Sequence, residues 1–147
     1  MADVATNRQA RFRYHLMDTW EAGLVLTGTE VKSLREGKAQ IKDGYAALTG
    51  TEVWLHNVHI PPYGPASREN HEPERPRKLL MHRREIERLD GKTREKGLTL
   101  VPTRLYFSRG RAKVEIALAR GKDVGDKRQS IKEREMKREM DRAVRHD

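Results

Sequence analysis

Leu98-Thr99-Leu100-Val101, Arg104-Leu105-Tyr106-Phe107, Ser108-Arg109-Gly110-Arg111 and Lys113-Val114-Glu115-Ile116-Ala117-Leu118 together decide the fold. Val114, Ile116 and Leu118 alternate with Lys113, Glu115 and Ala117, the period-two pattern of a strand with one buried face. Ser108 to Arg111 is a turn, with glycine where the chain reverses. Leu98 to Val101 and Arg104 to Phe107 form the other arm. Pro102 cannot donate to a ladder, so it marks an edge or a bulge there. This is the strongest hairpin in the chain.

Working outward, Leu79-Leu80-Met81 leads into a helix over His82 to Asp90, with Ile86 and Leu89 at helical spacing and Gly91 as its end. Residues 61–77 hold five of the six prolines and read as an irregular loop. Tyr45 to Leu48 and Val53 to Ile60 flank Thr49-Gly50-Thr51, a second hairpin. Val53 and Leu55 share one parity, Val58 and Ile60 the other, so a bulge is expected near His56-Asn57. Gly23 to Thr27 reads as a short buried strand. Thr29 is expected to cap a helix with Glu30 in its first turn and Gly37 as its stop. Phe12, Tyr14 and Leu16 suggest a strand edge. Short strands, Gly-marked turns and few helices give an all-β class with added helices: a small closed antiparallel OB-like β-barrel flanked by short helices.

After Ala119 the character changes. No aromatic residue follows Phe107, and 130–145 favours helix with a narrow stripe of Met136, Met140, Ala143 and Val144. Such a segment is marginal alone in water. The division is a barrel over 1–122 and a basic tail over 123–147, disordered or fraying when free and helical when docked. A helix packed on the barrel is the alternative.

The chain has 147 residues, 31 Lys+Arg against 22 Asp+Glu, a net charge of +9, and no cysteine. All the excess lies after residue 74: residues 1–74 sum to −2 and 75–147 to +11. Such a balance points to a polyanionic partner, most commonly nucleic acid. Arg104, Arg109, Arg111 and Lys113 have no acidic residue among them within that turn and its first arm, which suits a nucleic-acid face. No apolar run approaches a membrane span of about 18 residues, and Met1 to Ala10 has no apolar h-region. Without cysteine there is no disulfide, thiolate ligand or thiol nucleophile, and a cytoplasmic home is expected.

Chemistry finds little to rest on. His56-x-x-His59 has ligand spacing, but in a strand the two rings fall on opposite faces, so no metal is expected. There is no G-x-S-x-G elbow, no P-loop and no G-x-G-x-x-G, and no cofactor or enzymatic activity is expected. The residues alone lead to a basic β-barrel with a helix-prone tail that binds RNA. An RNA-processing enzyme and a generic ribosomal RNA binder remain the rivals.

Longer strings go further. Asn7-Arg8-Gln9-Ala10-Arg11, Glu21-Ala22-Gly23, Thr27-Gly28-Thr29-Glu30-Val31-Lys32-Ser33-Leu34-Arg35, Arg75-Pro76-Arg77-Lys78-Leu79-Leu80, Lys96-Gly97-Leu98-Thr99-Leu100-Val101-Pro102, Ala117-Leu118-Ala119-Arg120-Gly121-Lys122 and Ile131-Lys132-Glu133-Arg134-Glu135 succeed one another in order. Over nearly its whole length the chain resembles the small protein B family, the bacterial SsrA-binding proteins. The resemblance implies an OB-like barrel that binds the tRNA-like domain of tmRNA (SsrA RNA), as a monomer, and delivers it to stalled ribosomes for trans-translation and ribosome rescue. It implies that the tail occupies the small-subunit decoding centre and the empty mRNA channel.

The same resemblance assigns Asn7, Arg8, Arg11, Glu21, Leu80, Arg111 and Lys113 to the tmRNA-binding face. It assigns Gly121, Lys122, Asp126, Lys127, Arg128, Ile131, Lys132 and Arg134 to the ribosome-interacting tail. Lys113 alternates with Val114 and should point outward. Leu80, judged on its own, reads as core. Glu21 is repelled by phosphate, so its role is to accept hydrogen bonds from base edges or 2′-hydroxyls, or to orient a neighbouring arginine. Two positions depart from the family pattern: Gly125 where a ring-bearing residue is common, and Phe12 where histidine follows Arg11.

Overall fold

The computed structural model describes residues 3–64, 70–95 and 97–121. Everything expected of Lys122 and the tail over 123–147, its helix included, lies outside the described residues. The chain runs through β1 (Asp3–Thr6), α1 (Ala10–Arg13), β2 (Tyr14–Leu24), α2 (Gly28–Arg35), β3 (Tyr45–Thr49) and β4 (Glu52–His56), then β5 (Arg77–Leu80), α3 (Arg83–Thr93), β6 (Leu98–Ser108) and β7 (Arg111–Gly121).

All pairings are antiparallel, and they close on themselves in the order β6-β3-β4-β5-β2-β7-β6, with β1 added along β6. The expected OB-like closed sheet is therefore present. Its backbone is the β6–β7 hairpin, which turns at Arg109 (φ 53) and Gly110 (φ 76). Two left-handed residues in succession match the strand twist of a tight hairpin. The register slips between Pro102 and Arg104, the bulge that the proline demands. Inside the ring, Leu105, Val114, Ile116, Leu118, Leu100, Val53, Leu55 and Leu79 are buried. Each fully buried aliphatic side chain contributes about 1.5–3 kcal/mol.

Several expectations shift. Phe12 lies in α1, and the strand from Tyr14 is a single long one ending at Leu24; Val25 is exposed rather than buried. The cap of α2 is Thr27 rather than Thr29: its hydroxyl accepts from the Glu30 amide, and Glu30 Oε1 accepts from the Thr27 amide at 2.8 Å. Thr29 instead bonds His71 Nδ1 at 2.9 Å, while His71 Nε2 donates to Ile60 O at 2.8 Å. Gly37 does end the helix region, at φ 76. The phase change after β4 is not a ladder bulge. The strand stops at His56, and Asn57 (φ 58) turns the chain so that Val58 and Ile60 face inward. α3 passes through Gly91 to Thr93, where the Thr93 hydroxyl donates to Leu89 O at 2.8 Å; the reversal comes at Gly97 (φ 85).

Candidate nucleic-acid interface

Strand register builds the site. Tyr106 on β6 pairs with Lys113 on β7, Lys113 with Gly23 on β2, and Gly23 with Leu80 on β5. These four positions form one row across four strands on the outer face, since Leu105, Val114, Ala22 and Leu79 beside them point into the core. Gly23 has no side chain, so the row has a notch between the ammonium of Lys113 and the methyls of Leu80. The notch deepens into a groove of about 510 Å³, to which Glu21, Met81, Phe107 and Arg111 also contribute. It sits at one of the two short seams of the ring: β2 and β5 share only the pairs Gly23–Leu80 and Leu24–Leu79, and β3 and β6 only Ala46–Leu100.

Leu80 is 56% exposed, so it is not the core residue that its sequence setting suggests. β5 alternates Arg77 in, Lys78 out, Leu79 in, Leu80 out, which puts the second leucine on the surface. An exposed leucine beside a lysine offers an apolar wall to a base and a charge to its phosphate.

Glu21 is exposed at the groove, and its carboxylate accepts from the Tyr106 hydroxyl. Burial first, and the neighbouring Glu21 carboxylate second, push the Tyr106 phenol up to about 12. Glu21 therefore pairs with a tyrosine rather than orienting an arginine. Arg104 is committed elsewhere: it stacks over the Tyr106 ring at 4.3 Å and bridges Asp3 at 3.2 Å and Glu115 at 3.5 Å. Of the four cations that the sequence places together, Arg111 and Lys113 line the groove, Arg109 tips the hairpin and Arg104 is bound in this network.

Asn7, Arg8 and Arg11 stand apart from that row. They line a second cleft of about 740 Å³, with Thr19, Arg104 and Glu115 on its other walls. Arg8 and Arg11 are exposed, whereas Asn7 is buried: its Nδ2 donates to Pro102 O at 3.0 Å and its amide to Thr103 O at 2.8 Å. Asn7 thus ties the start of α1 to the β6 bulge. The cross-strand pair Glu21–Glu115 separates the two clefts. Gly121 is the last residue of β7, paired with Tyr14, and belongs to the sheet.

Behind the groove, an ion cluster that charge patterning does not reveal joins α2 and β5, which line it through Val31 and Leu80. Glu30, at 0% exposure, accepts from Arg75 Nη2 at 2.5 Å and Arg77 Nε at 2.6 Å. Arg77, also buried, donates to Val58 O at 2.5 Å and Pro73 O at 2.9 Å. Burial alone would push the Glu30 carboxyl up, but the donors Arg75, Thr27 and Arg77 outweigh it and hold it below its ordinary value. The cluster locks α2 to β5. Arg35, on α2, lies over the Phe107 ring at 4.9 Å.

The family model described as SmpB protein matches residues 4–146. An SsrA-binding protein of Thermobifida fusca is 66% identical over 142 residues, 97% of this chain and 89% of the relative. One of Acidothermus cellulolyticus is 63% identical, covering 96% of this chain and 89% of the relative. Among solved structures, a chain of "tmRNA-SmpB: a journey to the center of the bacterial ribosome" is 47% identical. It aligns at a TM-score of 0.72 over 88% of this chain and 95% of that one.

Proposed function

This chain belongs to the SmpB family of SsrA-binding proteins, and from that premise we propose that it grips the tRNA-like domain of tmRNA in the groove between β7, β2 and β5. It is an RNA-binding factor that joins tmRNA and acts with it on stalled ribosomes in trans-translation. The observation that carries the placement is the row Lys113–Gly23–Leu80 with Glu21 beside it. Cation, notch, apolar wall and hydrogen-bond acceptor meet there on one exposed surface. Arg8 and Arg11, in the second cleft, contact a separate segment of the RNA.

The protein works by binding and placement rather than by catalysis, in the cytoplasm where ribosomes translate. Residues 1–122 hold the RNA. The tail over 123–147, with Asp126, Lys127, Arg128, Ile131, Lys132 and Arg134, enters the decoding centre and the vacant mRNA channel.

A gel-shift series with the folded tRNA-like RNA and random RNA of equal length tests this. Lys113→Ala should weaken tRNA-like binding and make the salt dependence shallower by about one unit of slope, one phosphate contact fewer. Truncation after Lys122 should leave that binding largely intact and abolish tagging of stalled chains. Equal affinity for random RNA, or joint loss of binding and tagging on truncation, contradicts the reading.

A further inference from the structure

The outer face of β3, β4 and β5 holds side chains that the groove does not use. Register places Tyr45 opposite His56, Ala47 opposite Trp54, and Trp54 opposite Lys78. Leu80 follows two residues after Lys78 on the same face and is the groove wall. One outward surface therefore runs from the groove over Lys78 and Trp54 to Tyr45 and His56. It covers about 13 Å along the strands, four residues of rise, and crosses from β5 over β4 to β3. At the far end the Tyr45 and His56 rings stack, centroids 5.1 Å apart and planes 22° apart. Tyr45 is 40% exposed, one of the few large apolar side chains left to solvent among the described residues.

We propose that Tyr45 and His56 are a stacking platform for an unpaired nucleotide of the same tRNA-like RNA that fills the groove, an extension that rests on the groove reading. Flat exposed rings are what an unstacked base seeks, and stacking needs no particular base. Continuity through Leu80, Lys78 and Trp54 names the occupant: a strand leaving the groove crosses this face next. The charge along the path agrees. Lys78 is balanced by Glu52 at 2.7 Å, so the track neither attracts nor repels phosphate strongly and favours base faces.

The test is fluorescence anisotropy of the full chain with labelled tRNA-like RNA across a salt series, with thermal melts in parallel. Tyr45→Ala should weaken binding about 5- to 100-fold with an unchanged salt slope, because stacking releases no counterions. Tyr45→Phe keeps the ring and should restore affinity. If Tyr45→Ala melts early, Tyr45→Leu, which keeps bulk without a flat ring, is the deciding variant. Wild-type affinity in Tyr45→Leu or a well-folded Tyr45→Ala, with Lys113→Ala weakened, overturns the platform and leaves the groove. Weakening by Tyr45→Ala but not Lys113→Ala overturns the groove and leaves an aromatic RNA site. Normal tRNA-like binding by Tyr45→Ala with reduced ribosome binding assigns the face to the ribosome and overturns the proposal.

Discussion

Glu30→Gln is the sharpest test of what joins α2 to β5. Glu30 takes three donors, from Arg75 at 2.5 Å, Arg77 at 2.6 Å and the Thr27 amide at 2.8 Å, with its side chain and that of Arg77 at 0% exposure. Glutamine keeps one acceptor and turns an N–H₂ toward an arginine. Arg77 then keeps its charge in the interior with only the carbonyls of Val58 and Pro73 as partners. Removing one partner of a buried ion pair costs about 3–5 kcal/mol, and for a domain this size that lowers Tm by about 10–20 °C. Circular dichroism melts at neutral pH measure it. Because the folded carboxyl sits below its ordinary value, its stabilisation is complete above the unfolded pKa of about 4.3. It is lost as pH falls through the folded value. The Tm gap between wild type and Glu30→Gln should therefore narrow in strong acid. The apolar pair Glu30→Leu with Arg77→Met should melt above Glu30→Gln, since the fully buried charge is gone and Arg75, which also loses Glu30, is 34% exposed. A Glu30→Gln melt within a few degrees of wild type, or a gap independent of pH, refutes the clamp.

Two further perturbations act on the groove itself. A Cβ at Gly23 would meet Leu80 Cβ at 3.4 Å, so alanine just fits, whereas Gly23→Val fills the notch. Valine should weaken tRNA-like binding about tenfold or more, the loss of one good contact, with little change in Tm; equal binding by the valine variant means nothing enters the notch. Tyr106→Phe removes the hydroxyl that ties down Glu21 and should weaken binding about tenfold as the carboxylate turns on phosphate. Since the phenol is pushed up to about 12, wild-type binding should show no step from Tyr106 between pH 7 and 10, and a step lost in Tyr106→Phe would contradict that.

The period-two alternation over Lys113 to Leu118 suffices to read β7, because Val114, Ile116 and Leu118 are buried while Lys113 and Glu115 are only partly so. It says nothing of the second small cluster, in which Ala117 and Ala119 are buried with Val101 of β6. The cap at Thr27 was missed by two residues, since Thr27 and Thr29 are chemically identical and only the reciprocal bond to Glu30 separates them. Gly91 was misleading for a related reason. A helical glycine is tolerated when the next turn is secured, here by Thr93 on Leu89 O. Leu80 was illegible from local pattern, because Leu79-Leu80 reads as a buried pair until β5 is known to be a strand with one outward side. The Glu30–Arg75–Arg77 cluster spans 47 residues of sequence, and charge runs carry no sign of burial.

The charge arithmetic takes on a different meaning once these partners are known. A +9 chain suggests simple attraction to phosphate. Yet Arg104 is bridged to Asp3 and Glu115, and the two groove cations, Arg111 and Lys113, share the groove's lining with two carboxylates, Glu21 and Glu85. Attraction that is nearly balanced locally cannot by itself hold an arbitrary RNA there, because exposed cation–phosphate contacts weaken as salt rises. On the reading proposed above, what the groove offers instead is position-specific. Lys113 rewards a phosphate on one side of the notch. Leu80 rewards an apolar base face on the other. Glu21, its carboxylate anchored by the Tyr106 hydroxyl, penalises a misplaced phosphate and rewards a base N–H or a 2′-hydroxyl. An acid on an RNA face is thus a device for choosing among RNAs. On the proposed reading, long-range capture falls to cations other than Lys113 and Arg111: Arg8 and Arg11 in the second cleft, and the ten Lys and Arg that the sequence carries after residue 119.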